Sequence, residues 1–292
     1  MDKINFFPDN LDIKNKKIIL RLDLNVPIKD KIILDDTRVA LCLPFIKKLV
    51  EKKAKIIIIS HLGRPKGVRD PELSLAPIYK YLKKNLPTNV FFFTGNFNDE
   101  SESKFSYLNE GEIILIENIR FFKEETTNDE YFSKKLASLG DIYINDAFSC
   151  SHRKQASIHK ITKFIDSYGG PILEKEIQSI NLIIKNKKKP VTCIIGGSKV
   201  STKINILSSL LENADNLVIV GAMANNFLKF KGINVGASLV EKGSENTVKN
   251  INILAEKSKC NVIVPVDCNT SSNVNGDPVY KSLKNMGSED MI

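Results

Sequence analysis

The 292-residue chain has no tryptophan, three histidines and five cysteines, and none of its apolar runs approaches the roughly 20 residues that cross a bilayer. The longest of these runs, such as Lys55–Ser60, have the length of buried strands. The cysteines are odd in number, scattered and free of any Cys-x-x-Cys pair, which argues against a disulfide framework and a cysteine metal site. The N-terminus carries acidic residues and lacks the long apolar segment of a signal peptide. We therefore expect a cytoplasmic chain.

The composition is that of an ordinary globular protein, with 42% hydrophobic and 26% charged residues. At roughly 150 residues per domain, the length predicts about two domains. The net charge of +9 favours polyanionic partners, namely nucleic acid, anionic lipid or small phosphorylated molecules. Much of the excess lies in lysine runs such as Lys14–Lys17 and Lys185–Lys189, which are typical of a solvated surface. Charge alone does not choose among these partners.

Apolar runs of strand length alternate with amphipathic stretches of helical period, a pattern typical of βαβ units around a mainly parallel sheet. The first half predicts strands at Ile18–Leu22, Lys55–Ile59, Val90–Phe93, Glu112–Ile116 and Asp141–Ile144, and helices at Arg38–Lys53, Ser74–Asn85 and Asn128–Leu139. The second half predicts strands at Val191–Ile195, Leu217–Val220 and Val262–Val264, and helices at Val200–Glu212, near Asn225 and at Thr247–Lys257. The predicted fold is α/β, with two Rossmann-like, three-layer αβα domains.

A break in this pattern predicts where the domains meet. Tyr168-Gly169-Gly170-Pro171 interrupts the alternation, and a new helix opens with Pro171 in its first turn. We therefore predict an N-terminal domain over residues 1–168, a helical hinge over 169–187 and a C-terminal domain over 188–292. The last of these has only about 105 residues, which makes it the smaller of the two.

Charged and hydrogen-bonding residues follow four of the five strands predicted in the first half. Ligands of open parallel sheets bind beyond the carboxyl ends of the strands, so these residues are candidates for a site. The edge gathers Arg38, His61, Arg64, Arg120, His152 and Arg153, with Asp23, Asn25 and Gly63 in the adjoining turns. Guanidinium groups match phosphate and carboxylate geometry, and clustered positive charge needs counter-charge. The sequence therefore predicts a site for a small, multiply anionic ligand.

Each of these residues, taken singly, has a simpler explanation. A surface ion pair explains any one arginine, and a hydrogen-bonded structural role explains His61 or His152 as well as a ligand does. Asp23 and Asn25 are residue types that stabilise turns, although they would also orient substrate hydroxyls or hold the arginines. The coincidence of several arginine and histidine positions on one edge favours a common cause.

A second candidate site follows the strand predicted at Val191–Ile195. Gly196-Gly197-Ser198-Lys199 leads from it into the predicted helix, and Lys203 lies one turn beyond Lys199. Glycine permits close backbone approach, and helix amides with two lysines would cradle phosphates. The segment matches neither the Gly-x-x-x-x-Gly-Lys-Ser/Thr loop nor the Gly-x-Gly-x-x-Gly fingerprint, so spacing alone does not identify its ligand.

At these residues the chain closely resembles the phosphoglycerate kinases, which move a phosphoryl group between 1,3-bisphosphoglycerate and ADP. The matching stretches occur in the family's order across the whole chain. They are RLDLNVP (21–27), DDTRV (35–39), SHLGRPKG (60–67), ENIRFFKEE (117–125), INDAFSCSHRKQAS (144–157), GGPILEKEI (169–177), IIGGSKVSTKI (194–204) and VIVGAMANNF (218–227).

The resemblance implies a glycolytic phosphotransferase with a carboxyl group as acceptor, which reversibly gives 3-phosphoglycerate and ATP. It implies that the N-terminal domain binds phosphoglycerate, that the C-terminal domain binds ATP or ADP, and that the hinge closes. Mg²⁺ would be carried with the nucleotide rather than by a protein metal site. The resemblance also implies a monomer without nucleic-acid or membrane partners.

Motif position transfers roles to individual residues. The substrate contacts would be Asp23, Asn25, Arg38, His61, Gly63, Arg64, Arg120 and Arg153, and the nucleotide contacts would be Gly197, Ser198, Lys199 and Lys203. Among these residues, Arg38 would stabilise the phosphoryl group in transfer and Lys199 would assist. Such roles suit phosphoryl transfer, which depends on positioning and charge neutralisation.

The chain departs from the family's pattern at three positions and at its end. Ser149 stands where the family usually has Gly, Gln155 where it has a second His, and Thr202 where it has Asp. We expect none of the three to touch the basic contact residues. The sequence stops at Glu289–Ile292, where the family continues, so we expect an incomplete nucleotide domain and slow or absent turnover by this chain.

Three other functions remain as alternatives to the kinase. A catalytically silent fragment would only bind phosphoglycerate through its basic edge. A nucleic-acid binder would need a basic stripe with interleaved aromatics, whereas these arginines lie at strand ends and tryptophan is absent. A nicotinamide dehydrogenase would need the glycine fingerprint that the chain lacks.

Overall fold

The structure is a computed structural model that describes residues 4–97, 105–185, 189–273 and 276–292. The chain divides into two compact units, Met1–Ser179 and Ile180–Ile292. A helix over Pro171–Lys185 contains the boundary between these units. Residues 186–188, where the predicted hinge ends and the predicted C-terminal domain begins, lie outside the described residues.

The first unit is built on a six-stranded parallel sheet with the order β5–β6–β4–β1–β7–β8. Its strands are β1 (Lys17–Leu22), β4 (Lys55–Ile59), β5 (Val90–Phe93), β6 (Ile113–Ile116), β7 (Ile142–Asp146) and β8 (Asp166–Gly169). A short antiparallel hairpin, β2 (Ile28–Lys29) and β3 (Ile32–Ile33), follows β1. The central strands are rich in isoleucine because a parallel sheet covered by helices buries both faces of each strand.

Helices cover both faces of this sheet. Helices α1 (Thr37–Glu51) and α2 (Ala76–Asn85) share one core cluster with alternate residues of β1 and β4, such as Ile18 and Ile56. The opposite face, which includes Ile19, packs against α4 (Glu130–Ser138) and a π-helical turn at Ala156–Lys160. A short helix, α3 (Lys123–Thr127), precedes α4.

The order of the strands places a crevice at β1. The chain first builds the sheet on one side of β1, with β4, β5 and β6, and then crosses to the other side, with β7 and β8. The direction of the connections therefore reverses at β1, and the crevice of an open parallel sheet lies at the carboxyl ends of the strands around such a point.

The second unit has a three-stranded parallel sheet of order β11–β10–β9, with helices packed on one face. The strands are β9 (Thr192–Gly196), β10 (Asn216–Val220) and β11 (Asn261–Ile263), and the helices after α5 (Pro171–Lys185) are α6 (Ile204–Asn213), α7 (Ala222–Phe230) and α8 (Glu245–Ser258). On the other face, Ile194 is 71% exposed and lies in register with Val218 and Ile263. An antiparallel hairpin, β12 (Asp267–Thr270) and β13 (Val279–Ser282), completes the unit.

The predicted α/β class with parallel sheets is confirmed, and Lys55–Ile59 and Val90–Phe93 are strands with the predicted bounds. The prediction missed β8 and both hairpins, whose strands are short or polar and give no apolar run. The helix predicted from Val200 begins at Ile204, after a 3₁₀ turn over Ser201–Lys203. In the described part of the chain, no helix is both long enough and apolar enough to span a membrane.

Candidate functional site

The carboxyl end of β1 joins Asp23 to Arg38. Nη1 of Arg38, in the first turn of α1, donates to Oδ2 of Asp23 at 2.8 Å and to the backbone oxygen of Asn25 at 3.3 Å. The hydroxyl of Ser149 donates to the same Asp23 oxygen. The Arg38 side chain is 54% exposed, so its other guanidinium donors remain accessible to a ligand.

Gly63 connects this end of β1 to the segments after β4 and β6. Its backbone N–H donates to Oδ1 of Asn25 at 2.9 Å, and its carbonyl accepts from Nη1 of Arg120 at 2.8 Å. The φ of +58° at this position is a conformation that favours glycine. Three loops that are distant in sequence therefore form one hydrogen-bonded edge.

Arg120 and Arg153 bring unsatisfied positive charge to that edge. Arg120 is only 4% exposed, and Nε of both arginines is buried without a hydrogen-bond partner in the described structure. Burial, followed by the positive charges of Arg153 and Arg21, lowers the pKa of Arg120. Buried donors that lack acceptors are costly, so this edge is suited to an anionic ligand.

His61 lies in the same basic surroundings and is 5% exposed. Burial lowers its pKa to about 2, with further lowering by Arg21, Arg120, Arg153 and Arg38. The imidazole is therefore neutral at physiological pH, so it offers this edge a hydrogen-bonding group rather than a cation.

Two residues predicted for the anion site are not part of the hydrogen-bonded cluster. Arg64 and His152 are exposed, and neither has a hydrogen bond or ion pair with any residue that the structure describes. Their proximity to the site in sequence is thus not matched by a contact in the structure.

The expectation that the three departures avoid the basic contacts is wrong for Gln155. Its Oε1 accepts from Nη2 of Arg120 at 3.5 Å, and Gln155 is itself buried. Ser149 affects a basic contact residue indirectly, because the Asp23 carboxylate to which its hydroxyl donates also accepts from Arg38. The Thr202 hydroxyl donates to the backbone oxygen of Lys199 at 3.2 Å.

Sequence reasoning missed a buried polar group beneath the site. Arg21, in β1, is completely buried, and it contacts both His61 and Ser157. Glu125 is also completely buried and accepts two hydrogen bonds from Ser157. The available signal was an arginine inside the strand KIILRL, whose other residues after Lys17 are apolar, because charged side chains are rarely buried without a partner.

In the second unit, the predicted phosphate cradle is partly occupied by a protein carboxylate. Glu241 accepts from the amides of Val200 and Ser201 at 2.7 and 3.1 Å and from the Ser201 hydroxyl. These amides are therefore unavailable to a phosphate. Lys199 is exposed, and the Lys203 side chain passes close to Gly197, whose added Cβ would lie 3.2 Å from the lysine Cε.

Together these features define an α/β protein with buried, unpartnered guanidinium Nε–H groups, within the described residues, at the carboxyl edge of a parallel sheet. Residues 8–292 match the family model described as Phosphoglycerate kinase. The chain belongs to the phosphoglycerate kinase family.

Named relatives agree with this membership. A phosphoglycerate kinase of Wolbachia pipientis wMel is 48% identical over 89% of this chain, and one of Thermosipho africanus is 44% identical over 88%. The chain spans 65% and 64% of the lengths of these two relatives.

Solved structures of the family share the fold. The phosphoglycerate kinase of Coxiella burnetii matches with a TM-score of 0.77 and 34% identity, and that of Pyrococcus horikoshii OT3 with a TM-score of 0.83 and 28% identity. Each match covers 97% of this chain and 72% of the solved chain.

Proposed function

We propose that this chain binds phosphoglycerate at the carboxyl edge of its first sheet and acts in reversible phosphoryl transfer between 1,3-bisphosphoglycerate and ADP, giving 3-phosphoglycerate and ATP. The observation that carries the proposal is the pair of buried Nε–H groups of Arg120 and Arg153, which have no hydrogen-bond partner among the described residues. A phosphate and a carboxylate on one small molecule supply the acceptors that these donors lack. The family match and the named relatives give no support to the silent-fragment alternative.

The proposed substrate contacts keep the roles implied by the family. Arg120, Arg153 and the exposed Arg64 balance the phosphate and carboxylate charges, and His61 donates a neutral hydrogen bond. Asp23 and Asn25 hold Arg38 and accept from the substrate hydroxyl, while Gly63 keeps the loop close to the ligand. The contacts among Asp23, Asn25, Gly63, Arg38 and Arg120 support this set.

The chemical step breaks the bond between phosphorus and the acyl oxygen of 1,3-bisphosphoglycerate. An oxygen of the ADP β-phosphate attacks that phosphorus, and the carboxylate of 3-phosphoglycerate leaves with the bonding electrons. The protein forms no covalent bond, so its contribution is positioning and neutralisation of charge. Arg38 would neutralise the transferring group with the guanidinium donors that Asp23 and Asn25 leave accessible.

The second unit would bind the nucleotide through Gly197, Ser198, Lys199 and Lys203. Because Glu241 occupies the nearby amides, the two lysine side chains carry the proposed phosphate contacts. Mg²⁺ would neutralise the nucleotide phosphates. Among the residues that the structure describes, no group of three or more His, Cys, Asp or Glu is placed to hold a metal ion, so no residue of this chain is assigned to Mg²⁺.

The wider assignment follows the family. We propose a glycolytic, monomeric enzyme of the cytoplasm without nucleic-acid or membrane partners. We also keep the functional division into residues 1–168, 169–187 and 188–292, with phosphoglycerate bound by the first part and nucleotide by the last.

The proposal is tested by isothermal titration of the chain with 3-phosphoglycerate. We expect saturable one-site binding that Arg120→Ala and Arg38→Ala each weaken at least about tenfold, because each removes charge-assisted hydrogen bonds of about 1.5–3 kcal/mol. Arg69→Ala is the matched control, since Arg69 is an exposed arginine of the same unit that bonds to Gly95 and Asn96. Absence of binding by the folded wild type, or an equal loss in the control, contradicts the proposal.

A second measurement addresses the transfer step. ATP formation from 1,3-bisphosphoglycerate and ADP is followed for the wild type, Arg38→Ala and Lys199→Ala, with Lys257→Ala on an exposed position of α8 as the control. We expect ATP formation by the wild type to be slow, and we expect the first two variants to lose it and the control to keep it. Equal rates in all four proteins contradict the proposed roles of Arg38 and Lys199.

A further inference from the structure

Arg21 is a completely buried arginine whose guanidinium contacts only internal groups. Its Nε donates to the hydroxyl of Ser157 at 3.0 Å, and its Nη1 donates to the carbonyl of Leu22. Its Nη2 lies 3.2 Å from Nδ1 of His61. Because the side chain is completely buried and its Nε, Nη1 and Nη2 each contact an internal group, we assign Arg21 no ligand contact.

Ser157 joins Arg21 to the buried carboxyl group of Glu125. The Ser157 hydroxyl donates to Oε1 of Glu125 at 2.7 Å, and its amide donates to Oε2 at 2.8 Å. The hydroxyl of Tyr143 donates to the Ser157 carbonyl at 2.7 Å. Every polar atom of Ser157 is thus used, which fixes the position of the Arg21 guanidinium beneath His61.

The hydrogen bond between Arg21 and His61 can have only one direction. A guanidinium carries donors and no acceptor, so Nδ1 of His61 must be the acceptor and therefore carries no proton. The proton of the neutral ring then lies on Nε2. Within the described residues, Nε2 has no hydrogen-bond partner, so it is the ring nitrogen left for a ligand.

The doubly protonated imidazolium form of His61 is disfavoured by burial and by the surrounding arginines. Burial and the charges of Arg21, Arg120, Arg153 and Arg38 hold the pKa of His61 down to about 2. A neutral donor is useful here, because a further cation would add repulsion to the arginines already gathered around His61.

We propose that Arg21, held by Ser157 and Glu125, is a positioning residue that fixes His61 as the neutral Nε2-protonated tautomer, so that His61 presents a directed donor to the ligand. The assignment of the tautomer rests on contacts within the chain and needs no ligand. Its use as a ligand donor rests on the proposed phosphoglycerate site.

The tautomer is measured by ¹⁵N NMR of the chain labelled at histidine, with His61→Gln used to assign the His61 signals. We expect an unprotonated, pyridine-type signal for Nδ1 and a protonated, pyrrole-type signal for Nε2, unchanged from about pH 5 to about pH 8. A protonated Nδ1, or an imidazolium within that range, overturns the proposal. This measurement needs no substitution in the buried network.

The role of Arg21 is tested with the double variant Arg21→Met, Glu125→Gln, which replaces both buried ionisable groups together, so that neither remains without the other. We expect the signals of an Nδ1-protonated His61 to appear in the folded variant. An unchanged Nε2 tautomer there shows that Arg21 does not set it and overturns the proposal.

Titration with 3-phosphoglycerate tests the use of the donor. The amide nitrogen of Gln reaches the position of Nε2, whereas that of Asn reaches the position of Nδ1, so we expect His61→Gln to bind within a few-fold of wild type and His61→Asn to bind at least about tenfold more weakly. Equal weakening in both variants overturns the donor role. If wild type does not bind 3-phosphoglycerate, the proposed function fails, while the NMR measurements still decide the tautomer.

Discussion

Gly63 meets two requirements at a single residue. Its φ of +58° favours glycine, and both of its backbone polar groups bond to site residues, Asn25 and Arg120. An added Cβ would lie 2.7 Å from Cδ2 of Leu73, closer than an ordinary van der Waals contact. A side chain at this position would therefore disturb both the local fold and the alignment of Arg120.

Gly63→Ala is expected to lower the free energy of unfolding by about 1–2 kcal/mol and to weaken 3-phosphoglycerate binding severalfold. Gly111→Ala is the matched control, because Gly111 has a φ of +80°, lies in the same unit and would place its Cβ 3.6 Å from Val50. We expect a similar loss of stability in the control but unchanged binding. Urea unfolding and isothermal titration measure the two effects, and weakened binding in both variants would show that the site does not depend on Gly63.

The site residues at strand ends were predictable from the sequence, whereas the residues that hold them in place through hydrogen bonds were not. Asp23, Arg38 and Arg120 follow from strand ends and motif position, because the carboxyl edge of a parallel sheet is fixed by topology. Glu241 lies about 40 residues from Ser201, which it caps, and no local pattern indicates this pairing. Glu125 and Ser157 likewise meet only through tertiary packing, so their contact with Arg21 needed the structure.

At the scale of elements, the start of helix α5 depends on a carboxylate at the end of β7. Oδ1 of Asp146 accepts from the amide of Leu173 at 2.9 Å, and Oδ2 is buried without a partner in the described structure. Gly170 allows this approach, since a Cβ there would lie 2.5 Å from Cγ of Asp146. Burial raises the pKa of Asp146 to about 6, although the amides of Leu173 and Ile172 favour its charged form.

The raised pKa makes the stability of the first unit depend on pH. From its ordinary value of 3.8 up to about 6, the unfolded state loses the Asp146 proton while the folded state keeps it, so this group's contribution falls as pH rises. Asp146→Asn keeps an acceptor and does not titrate. We expect the unfolding free energy of the variant minus that of wild type to increase by up to about 3 kcal/mol between about pH 4 and about pH 7. Urea unfolding at several pH values measures it, and a constant difference would contradict the expectation.

Long, apolar elements were also the predictable ones. β4 and β5 have the predicted bounds because a run of isoleucine or phenylalanine between polar residues marks where each strand begins and ends. β8, with the sequence DSYG, is a strand because it pairs with β7, and its composition gives no such signal. The helix predicted from Val200 starts later, at α6, because Glu241 accepts hydrogen bonds from the amides of Val200 and Ser201. A 3₁₀ turn over Ser201–Lys203 takes the place of the first predicted helical turn.

At the scale of the whole molecule, the two parallel sheets differ in how they are covered. In the first unit, β1 and β4 have neighbours on both sides and cores on both faces. In the second unit, β9 is an edge strand, and Ile194, Val218 and Ile263 form a row on the face opposite the helices. Apolar burial therefore contributes more to the first sheet than to the second.

This difference predicts unequal protection of backbone amides. We expect the amides of β9 and β10 to exchange with deuterium at least about tenfold faster than those of β1 and β4, because less apolar surface must be exposed to open the smaller sheet. Hydrogen exchange followed by mass spectrometry or NMR on the intact chain measures the rates. Equal protection in the two sheets would show that an uncovered face does not limit the stability of the second unit.

The unpartnered Nε–H groups of Arg120 and Arg153 link occupancy of the site to the fold as a whole. In the free chain they have lost water without gaining an acceptor, and this cost is part of the folding free energy. An anion that bonds to them binds the folded state alone, so each tenfold rise in its concentration above Kd adds about 1.4 kcal/mol to the free energy of unfolding. The melting temperature of this chain would accordingly rise with the concentration of an anion that bonds to these two groups.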